Sequence, residues 1–316
     1  MLRRRAGEPW HFRPGGAVAR GGRGRSRKVD LAIVIAIQVV YSVALLVLIS
    51  AGLAIVFGMM RVINLAHGEF MMVGGYAAIM AVRAGVNIYV AMLVVAPLAV
   101  GVLGLIVERL VVRFLYGRLI DTMLATWGLS LFLIGLATLV FGNTTTGISP
   151  PIAGFALGAY QVNGYNLFII VVTAVLMGAI YAVLAGTRWG LIARGTMQRS
   201  DIAAALGYSP DTVNMVTFFI GSAVTGLAGG LLAPLVGLVP TTGGNYIGNA
   251  FITVISGGAS IIAGLLSSAA LFGVVSQFFT FTVNSMAGDI ALLVAAVVLL
   301  RLLPQGITGR FFRGSM

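Results

Sequence analysis

The stretch RVINLAHGEFMMVGGYAA, residues 61–78, sets polar side chains inside a strongly apolar region of the chain. Asn64, His67 and Glu69 stand close together there, with Gly68 between the last two. Ionisable groups at membrane depth are costly and persist where they face protein, water or one another. Glycine lets a helix break and lets two backbones approach closely. The stretch therefore predicts a broken or re-entrant helix within a membrane bundle.

The composition of the whole chain is that of a membrane protein. Its 316 residues are 59% hydrophobic and 9% charged, with a mean hydropathy of +1.05. A soluble domain has about a quarter of its residues charged, and a membrane span needs about 20 apolar residues. We predict an all-α polytopic transmembrane helical bundle of about eight spans, some broken or re-entrant. The apolar runs are 31–60, 70–82, 88–112, 122–141, 165–186, 212–237, 247–283 and 287–303.

Several classes of chemistry are excluded by residue content. The chain has no cysteine and only two histidines, His11 and His67, so disulfides, thiolate metal sites and a histidine-based metal site are not expected. Its only lysine is Lys28, which follows Arg27, whereas a phosphate-binding P-loop ends in Gly-Lys-Ser/Thr. We predict no catalytic residue and no cofactor on this chain. If transport is ATP-driven, the ATPase is a separate polypeptide.

Basic residues are concentrated before the first apolar run, and the net charge is +12. We predict a disordered tail over residues 1–29, followed by one transmembrane domain over residues 30–310. The positive-inside rule explains such a tail without nucleic-acid binding, with weak attraction to anionic lipid as a side effect. The basic residues of the tail are Arg3, Arg4, Arg5, Arg13, Arg20, Arg23, Arg25, Arg27 and Lys28.

The same rule predicts which connections share a side of the membrane. Together with the tail, three further clusters are expected in the cytoplasm, so that both termini are cytoplasmic. The uncharged connection 142–164 is expected on the outer face. The three clusters are Arg109, Arg113 and Arg118; Arg188, Arg194 and Arg199; and Arg301, Arg310 and Arg313.

A chain that connects two loops on the same side must cross the membrane an even number of times. From the tail to residue 115, and again from residue 201 to the C-terminus, the chain has three apolar runs, which is an odd number. Each section contains a glycine-rich interruption, 61–78 in the first and 254–264 in the second. An additional half-span in each would restore an even count, and discontinuous helices at matching places point to a transport pathway. The residues predicted to line or gate that pathway are Asn64, His67, Gly68, Glu69, Gly257 and Gly258.

The polar cluster at the first interruption has three interpretations. Asn64, His67 and Glu69 can satisfy the free backbone groups of a broken helix. They can instead line the path of the solute. A histidine beside a carboxylate also suits proton transfer, which would couple transport to a proton gradient.

The longest polar stretch inside the bundle is TRWGLIARGTMQRSDIAAALGYSPD, residues 187–211. Its segment MQRSDIAAALG, residues 197–207, predicts a short helix that ends at Gly207 in the C′ position. Pro210 stands where the next helix would begin. A short helix presented to the cytoplasm suits docking into a groove of a partner protein, or it is only a connector.

Four segments resemble the branched-chain amino-acid permease family, and the resemblance runs from about residue 35 to residue 310. They are GLAIVFGMMRVINLAHGEFMMVGGYAA, DTMLATWGLSLFLIGLATLVFG, the 187–211 loop with AAALGYSPDTVNMVTFFIGSAVTGLAGGLLAP, and AFITVISGGASIIAGLL. Members of that family are inner-membrane subunits of ATP-driven importers fed by a solute-binding protein.

The resemblance implies that 194–208 contains a coupling helix that docks on the ATPase. It also implies two permease subunits, identical or related, with two ATPase subunits that bind ATP and magnesium, an extracytoplasmic solute-binding protein, and a bacterial inner-membrane location. The residues implied for ATPase coupling are Arg194, Met197, Arg199, Asp201, Ala204, Leu206 and Gly207.

Two details leave the solute open between branched-chain amino acids and urea or short amides. DTMLATWGLSL is similar to the urea-type members of the family. In AFITVISGGASIIAGLL, the two glycines are followed by Ala259 and Ser260, whereas the family usually has Gly-Gly-x-Gly. A proton-coupled secondary transporter and a passive urea-type channel are the alternatives outside this class.

Overall fold

The computed structural model describes residues 20–309 except Ala159 and Ala259. Most of the predicted tail, residues 1–19, and the end of the chain with Arg310 and Arg313 lie outside the described residues. The first helix already begins at Arg20, within the predicted tail.

The main elements of the described residues are thirteen α-helices and one short β-hairpin. Seven helices are long and apolar enough to cross a membrane. A polytopic helical bundle is thereby confirmed. The helices are α1 Arg20–Met60, α2 His67–Arg83, α3 Ile88–Val90, α4 Ala96–Leu110, α5 Leu119–Phe141, α6 Gly164–Gly186, α7 Arg188–Gln198, α8 Ser200–Ala205, α9 Pro210–Leu232, α10 Gly244–Gly257, α11 Ile261–Thr282, α12 Ser285–Leu302 and α13 Gly306–Gly309.

Shorter elements complete the chain. A π-helical turn, Ala91–Val95, joins α3 to α4, so that Ile88–Leu110 runs as a single span. A 3₁₀ turn, Val112–Leu115, follows it. The strands β1 Phe155–Leu157 and β2 Tyr160–Val162 pair antiparallel, with Phe155 opposite Val162.

The bundle has two ends, which the connections define. At the arginine end, 111–118 meets the start of α9 through Arg113 and Asp211, whose side chains are 3.9 Å apart. At the hairpin end, the 142–163 connection bonds the chain after α9 through a bridge between Thr146 and Leu238. The α5 and α6 helices run between these two ends, so 187–209 lies at the arginine end.

Two crossings are discontinuous, and they run in opposite directions. From the end of α1, residues 61–66 are non-helical, and α2 then carries the chain to the hairpin end. After Leu238, residues 239–243 lead back into the bundle, and α10 carries the chain to the arginine end. The backbones at the two helix starts touch, because a Cβ on Gly68 would collide with the carbonyl oxygen of Gly243.

The two halves of the bundle have inverted directions. Helices α1, α2, α4 and α5 alternate in one sense, and α9, α10, α11 and α12 alternate in the opposite sense. The packing follows the same exchange, since α4 packs on α9 while α11 packs on α1. An arrangement of inverted halves with paired broken helices is common among transporters.

The structure does not describe the termini themselves, but the ends of the permease domain that it does describe do not fit the prediction that both termini lie on one side. The side chain of Asp30, near the start of the α1 span, contacts Gly158 at the hairpin end. At the other end of α1, Gly58 meets Ile261, and the C-terminal Thr308 bonds Gly257 close by at the arginine end. The two ends of the permease domain therefore lie at opposite ends of the bundle.

The error comes from the count of crossings. The sequence prediction added a half-span to both odd sections. In the structure only the second section gains a crossing, because the apolar run 247–283 contains both α10 and α11. The first section keeps its three crossings, of which the second is the broken one, 61–83. Because three is an odd number of crossings, the start of the α1 span and the 111–118 connection lie at opposite ends of the bundle.

Single cysteines can test this arrangement, because the chain has none of its own. Val29→Cys and Thr144→Cys are expected to react with a membrane-impermeant maleimide from the same side of the membrane. Ser209→Cys is expected to react only from the other side, because it lies at the arginine end. Labelling is measured in intact and in permeabilised cells. Reaction of position 29 together with position 209 would contradict the topology.

Candidate translocation and coupling sites

The non-helical segment before α2 is built by a local turn at Asn64. Its side-chain Oδ1 accepts a hydrogen bond from the N–H of Ala66 at 3.0 Å, and its backbone oxygen accepts from the N–H of His67 at 3.2 Å. Asparagine favours such turns because its side chain imitates a backbone carbonyl. Asn64 is buried. It thus satisfies backbone donors where the helix is broken.

Thr126 of α5 holds the same segment from the outside. The N–H of Leu65 donates to its Oγ1 at 3.0 Å. The hydroxyl itself faces the carbonyl oxygens of Thr122 at 2.8 Å and Ile63 at 3.3 Å. Thr126 is fully buried. A hydroxyl that accepts from the broken segment and donates to its own helix links the two elements.

His67, the first residue of α2, joins three helices. Its Nε2 lies 2.8 Å from the carbonyl oxygen of Ile49 in α1, and its Nδ1 lies 3.3 Å from Thr225 Oγ1 in α9. A carbonyl oxygen only accepts, so Nε2 carries a proton. The histidine is 2% exposed. Its contacts bind the start of α2 to the middle of the bundle.

Glu69 lies in the first turn of α2 and is 3% exposed. Its Oε2 has no hydrogen-bond partner among the described residues. A carboxylate near a helix N-terminus is favoured by the helix dipole. His67 bonds α1 and α9, and no hydrogen bond in the described chain joins it to Glu69.

The second predicted cluster lies away from the first. Gly258 has a φ of +84°, which favours glycine, and it ends α10 at the arginine end. Thr308 of α13 donates to the carbonyl oxygen of Gly257 at 2.6 Å and accepts from the N–H of Ser260 at 3.1 Å. The glycine that meets the start of α2 is instead Gly243, at the other end of α10. The structure therefore does not bring Gly257 and Gly258 to the Asn64–Glu69 cluster.

The described part of the chain holds no group of three or more His, Cys, Asp or Glu side chains that could bind a metal ion. The polar groups near the broken segment are mostly committed to backbone partners. Chemically, the cluster can order a helix break and hold it against three neighbouring helices.

The predicted coupling segment forms two helices rather than one. The break falls at Arg199, which has an extended φ of −147° between α7 and α8. Met197 is half-buried at the end of α7, whereas Arg194 and Asp201 are exposed. Ala204 and Leu206 are exposed, with Leu206 at 72%. An apolar side chain this exposed on a short helix is available for contact with a partner.

The end of α8 matches the prediction for Gly207. Its φ is +87°, and its N–H bonds the carbonyl oxygen of Ala204 at 3.0 Å. The N–H of Tyr208 bonds Ala203 at 3.0 Å, which completes a Schellman motif. Pro210 then begins α9, as predicted.

An exposed ion pair lies at the break between α7 and α8. Arg199 Nη2 is 2.9 Å from Asp201 Oδ2, and a second bond joins Nε to Oδ1 at 3.1 Å. The Arg199 guanidinium holds the pKa of the Asp201 carboxyl below its ordinary value. Asp201 is therefore ionised at neutral pH. Exposed pairs add little to stability, so this pair mainly orients the two side chains.

In a comparison with known protein families, residues 35–303 match the family described as "Branched-chain amino acid transport system / permease component". The chain belongs to this family. The resemblance seen in the sequence is thereby confirmed. Members of the family are permeases, and this chain is accordingly a multi-pass membrane transport subunit.

Relatives from bacteria and an archaeon match most of the chain. The "High-affinity branched-chain amino acid transport system permease protein BraD" of Pseudomonas aeruginosa is 28% identical over 83% of this chain and 91% of its own. The corresponding protein LivH of Escherichia coli (strain K12) is 27% identical over the same shares. The "Probable branched-chain amino acid transport permease protein LivH" of Methanocaldococcus jannaschii is 26% identical over 86% of this chain and 90% of its own.

One solved structure is more distantly similar. "PsaBC from Streptococcus pneumoniae in complex with Fab" covers 93% of this chain and 100% of its own, with a TM-score of 0.48 and 13% identity. That likeness is too distant to carry an argument.

Sequence reasoning missed three residues of the central cluster. Thr126 stands in DTMLATWGLSL, a segment whose resemblance to urea-type members does not indicate a role for its hydroxyl. Thr225 and Gly243 are far from His67 and Gly68 in the chain, and neither follows a recognisable motif. The spacing of Thr122, Thr126 and Ser130 at intervals of four residues was an available signal for a polar face on α5.

Thr126→Val is expected to destabilise the bundle. The substitution leaves the N–H of Leu65 without its partner, at a cost of about 1–3 kcal/mol in the free energy of unfolding. The matched control is Thr138→Val on the same helix, because the exposed Thr138 hydroxyl bonds only the carbonyl oxygen of Ile134. Thermal unfolding of the purified protein in detergent measures both. Equal losses in the two variants would contradict the role of Thr126.

Proposed function

We propose that this chain is the permease subunit of an ATP-binding-cassette importer for branched-chain amino acids. The observation that carries the proposal is the continuity between the α7–α8 segment and the broken helices. The α9 helix begins three residues after Gly207, and its Thr225 contacts His67 at the start of α2. A force applied to α8 at the surface would reach the broken segment through one rigid element.

The arginine end is proposed to face the cytoplasm. Of the nine arginines between residues 30 and 309, eight lie at the arginine end and Arg83 lies at the hairpin end, so the basic tail would be an exception to the positive-inside rule. The C-terminus would then be cytoplasmic, and the N-terminal tail would be on the outer side. The basic residues of the arginine end within the described chain are Arg61, Arg109, Arg113, Arg118, Arg188, Arg194, Arg199 and Arg301.

The α8 helix is proposed as the docking element for an ATPase. Leu206 and Ala204 would enter an apolar groove on the partner, with Arg194, Arg199 and Asp201 at its polar rim. ATP and magnesium would bind on the two ATPase subunits and not on this chain. Their closure and opening would rock the bundle between outward- and inward-open states.

The solute would cross near the broken segments, and Asn64, His67, Gly68 and Glu69 would gate its path from within the chain. Gly257 and Gly258 would act at the cytoplasmic end of that path. A second permease, identical or related, would complete the assembly. An extracytoplasmic solute-binding protein would dock at the hairpin end and supply much of the specificity.

A second candidate is an importer for urea or short amides with the same architecture. DTMLATWGLSL favours it, whereas Ala259 and Ser260 leave the solute open. The names of the relatives favour branched-chain amino acids. A proton-coupled secondary transporter has less support, because His67 bonds Ile49 and Thr225 and no hydrogen bond in the described chain joins it to Glu69.

Uptake of labelled leucine and labelled urea tests the solute, in cells with and without this chain. Loss of leucine uptake on deletion is expected, and it should depend on ATP rather than on the proton gradient. Loss of urea uptake alone would favour the second candidate. Leucine uptake that collapses with the proton gradient at constant ATP would contradict an ATP-driven importer.

Gly207→Ala is expected to reduce the solute imported per ATP hydrolysed by the assembled complex. Alanine at a φ of +87° is strained by about 1–2 kcal/mol, which displaces the end of α8. The matched control is Gly195→Ala in the exposed part of α7, where helical geometry and open space accept a methyl group. Uptake and ATP hydrolysis are measured together in proteoliposomes. An unchanged ratio in Gly207→Ala would contradict the coupling role of α8.

A further inference from the structure

We propose that an apolar cavity between α1, α6, α7 and α9 binds one acyl chain of an anionic membrane phospholipid. The cavity has a volume of about 550 Å³ and is lined by side chains of these four helices. Its volume is within the range of about 300–1,000 Å³ that ligand pockets occupy. It lies apart from the Asn64–Glu69 cluster, and neither Asn64 nor Glu69 lines it.

Apart from the indole N–H of Trp189 at the arginine end, the side chains of the lining offer no free polar group to a ligand. Two hydroxyls face the cavity, and both donate to backbone carbonyl oxygens one turn earlier in the chain. Thr187 donates to the carbonyl oxygen of Val183 at 2.6 Å, and Thr217 donates to that of Val213 at 2.7 Å. Below Trp189, a zwitterionic amino acid or urea would find no partner, and burying its polar groups there would be costly. The chemistry therefore selects a hydrocarbon.

The cavity has the depth of one membrane leaflet. Its lining on α9 extends from Val213, near the arginine end, to Val224, which precedes the Thr225 that contacts His67. Eleven helical steps span about 16 Å. Half of a hydrocarbon core of about 30 Å is about 15 Å. An acyl chain that enters at the membrane surface would thus reach the bottom of the cavity.

The cavity is open between α6 and α9. The α6 helix packs mainly on α1 and α7 rather than on α9, which leaves a cleft between α6 and α9. Val183 and Ile220 stand at its edges and are 45% and 40% exposed. The α7 helix closes the cavity at the arginine end through Trp189 and Ala193. Tryptophan is enriched at the membrane interface, which is the depth expected for a lipid headgroup.

Three arginines at the same end select an anionic headgroup. Arg61 comes two residues after the lining residue Met59. Arg188 and Arg194 are directly adjacent to the lining residues Trp189 and Ala193. All three are exposed, and in the described chain none has a carboxylate within 4.0 Å. Guanidinium groups bind phosphate through paired hydrogen bonds. The arginines thus match the anionic headgroup of a phospholipid, and the apolar cavity matches one of its acyl chains.

The position of the site gives the lipid a structural task. An acyl chain beneath α7 would fill the space between α7 and the spanning helices and fix the height of α7 in the interface. Through Arg199 the same support would extend to α8. Lipid binding itself does not depend on the proposed importer function, so the test below reads binding alone.

Photo-labelling in lipid nanodiscs tests the site with the full chain. The probe is phosphatidylglycerol with a diazirine on one acyl chain, and labelled peptides are identified by mass spectrometry. Labels are expected on α6 and α9 residues that line the cavity. Ala179→Phe, which fills the cavity, is expected to reduce that labelling about tenfold, the effect of losing the burial of roughly two methylene groups.

Two controls separate the site from general contact with lipid. Ala182→Phe adds the same ring to an exposed position of α6 outside the cavity and should leave the labelling unchanged. A phosphatidylcholine probe should label less than phosphatidylglycerol, and Arg188→Gln with Arg194→Gln should remove that preference. Arg301→Gln, at the same end on α12, should retain it.

Several outcomes would overturn the proposal. Equal labelling in Ala179→Phe and Ala182→Phe would show contact with bulk lipid only. Equal labelling by the two headgroups in the unmodified chain would remove the role of the arginines. Cross-linking of cavity residues to a second protein copy, with no lipid adduct, would assign the cavity to a protein interface. If Ala179→Phe fails to fold, competition by unlabelled phosphatidylglycerol on the unmodified chain decides between saturable and bulk contact.

Discussion

The close approach of two helix starts, at Gly68 and Gly243, is the constraint on which the bundle depends. A side chain at either position would collide with the backbone of the other. Each half-helix begins inside the protein, where backbone N–H groups would otherwise be without partners. Asn64 and Thr126 satisfy such groups on the α2 side, and Glu69 places a carboxylate near the positive end of that helix. The remaining helices are arranged around this meeting point.

The same contacts give the chain a mechanical connection between its surface and its centre. The α9 helix starts beside the 3₁₀ turn at the arginine end and reaches His67 without interruption. His67 in turn contacts α1, and Thr126 connects the broken segment to α5. A displacement at α8 is therefore shared among several helices. Packed elements of this kind switch between discrete arrangements rather than deforming continuously.

Much of this architecture could be predicted from local sequence, because the causes are local. The residues around His67 predicted a broken helix, and Gly207 with Pro210 predicted the boundary between α8 and α9. Sidedness failed because it depends on a count of crossings, and the first odd section contains no additional crossing, whereas the run 247–283 does contain two helices. The partners Thr225 and Gly243 could not be predicted either. Contacts between distant parts of the chain leave no periodic signal in a single sequence, whereas caps and turns do.

The opposite positions of the two chain ends limit how such subunits can be combined. Gly309 lies by the arginine end, whereas the α1 span begins beside the hairpin. A short linker from the last helix of one copy to the first helix of the next would have to traverse the hydrocarbon core. Unpaired backbone in that core is prohibitively costly. Two such domains joined in tandem on one polypeptide would thus require an additional spanning helix between them, and separately made chains avoid that requirement.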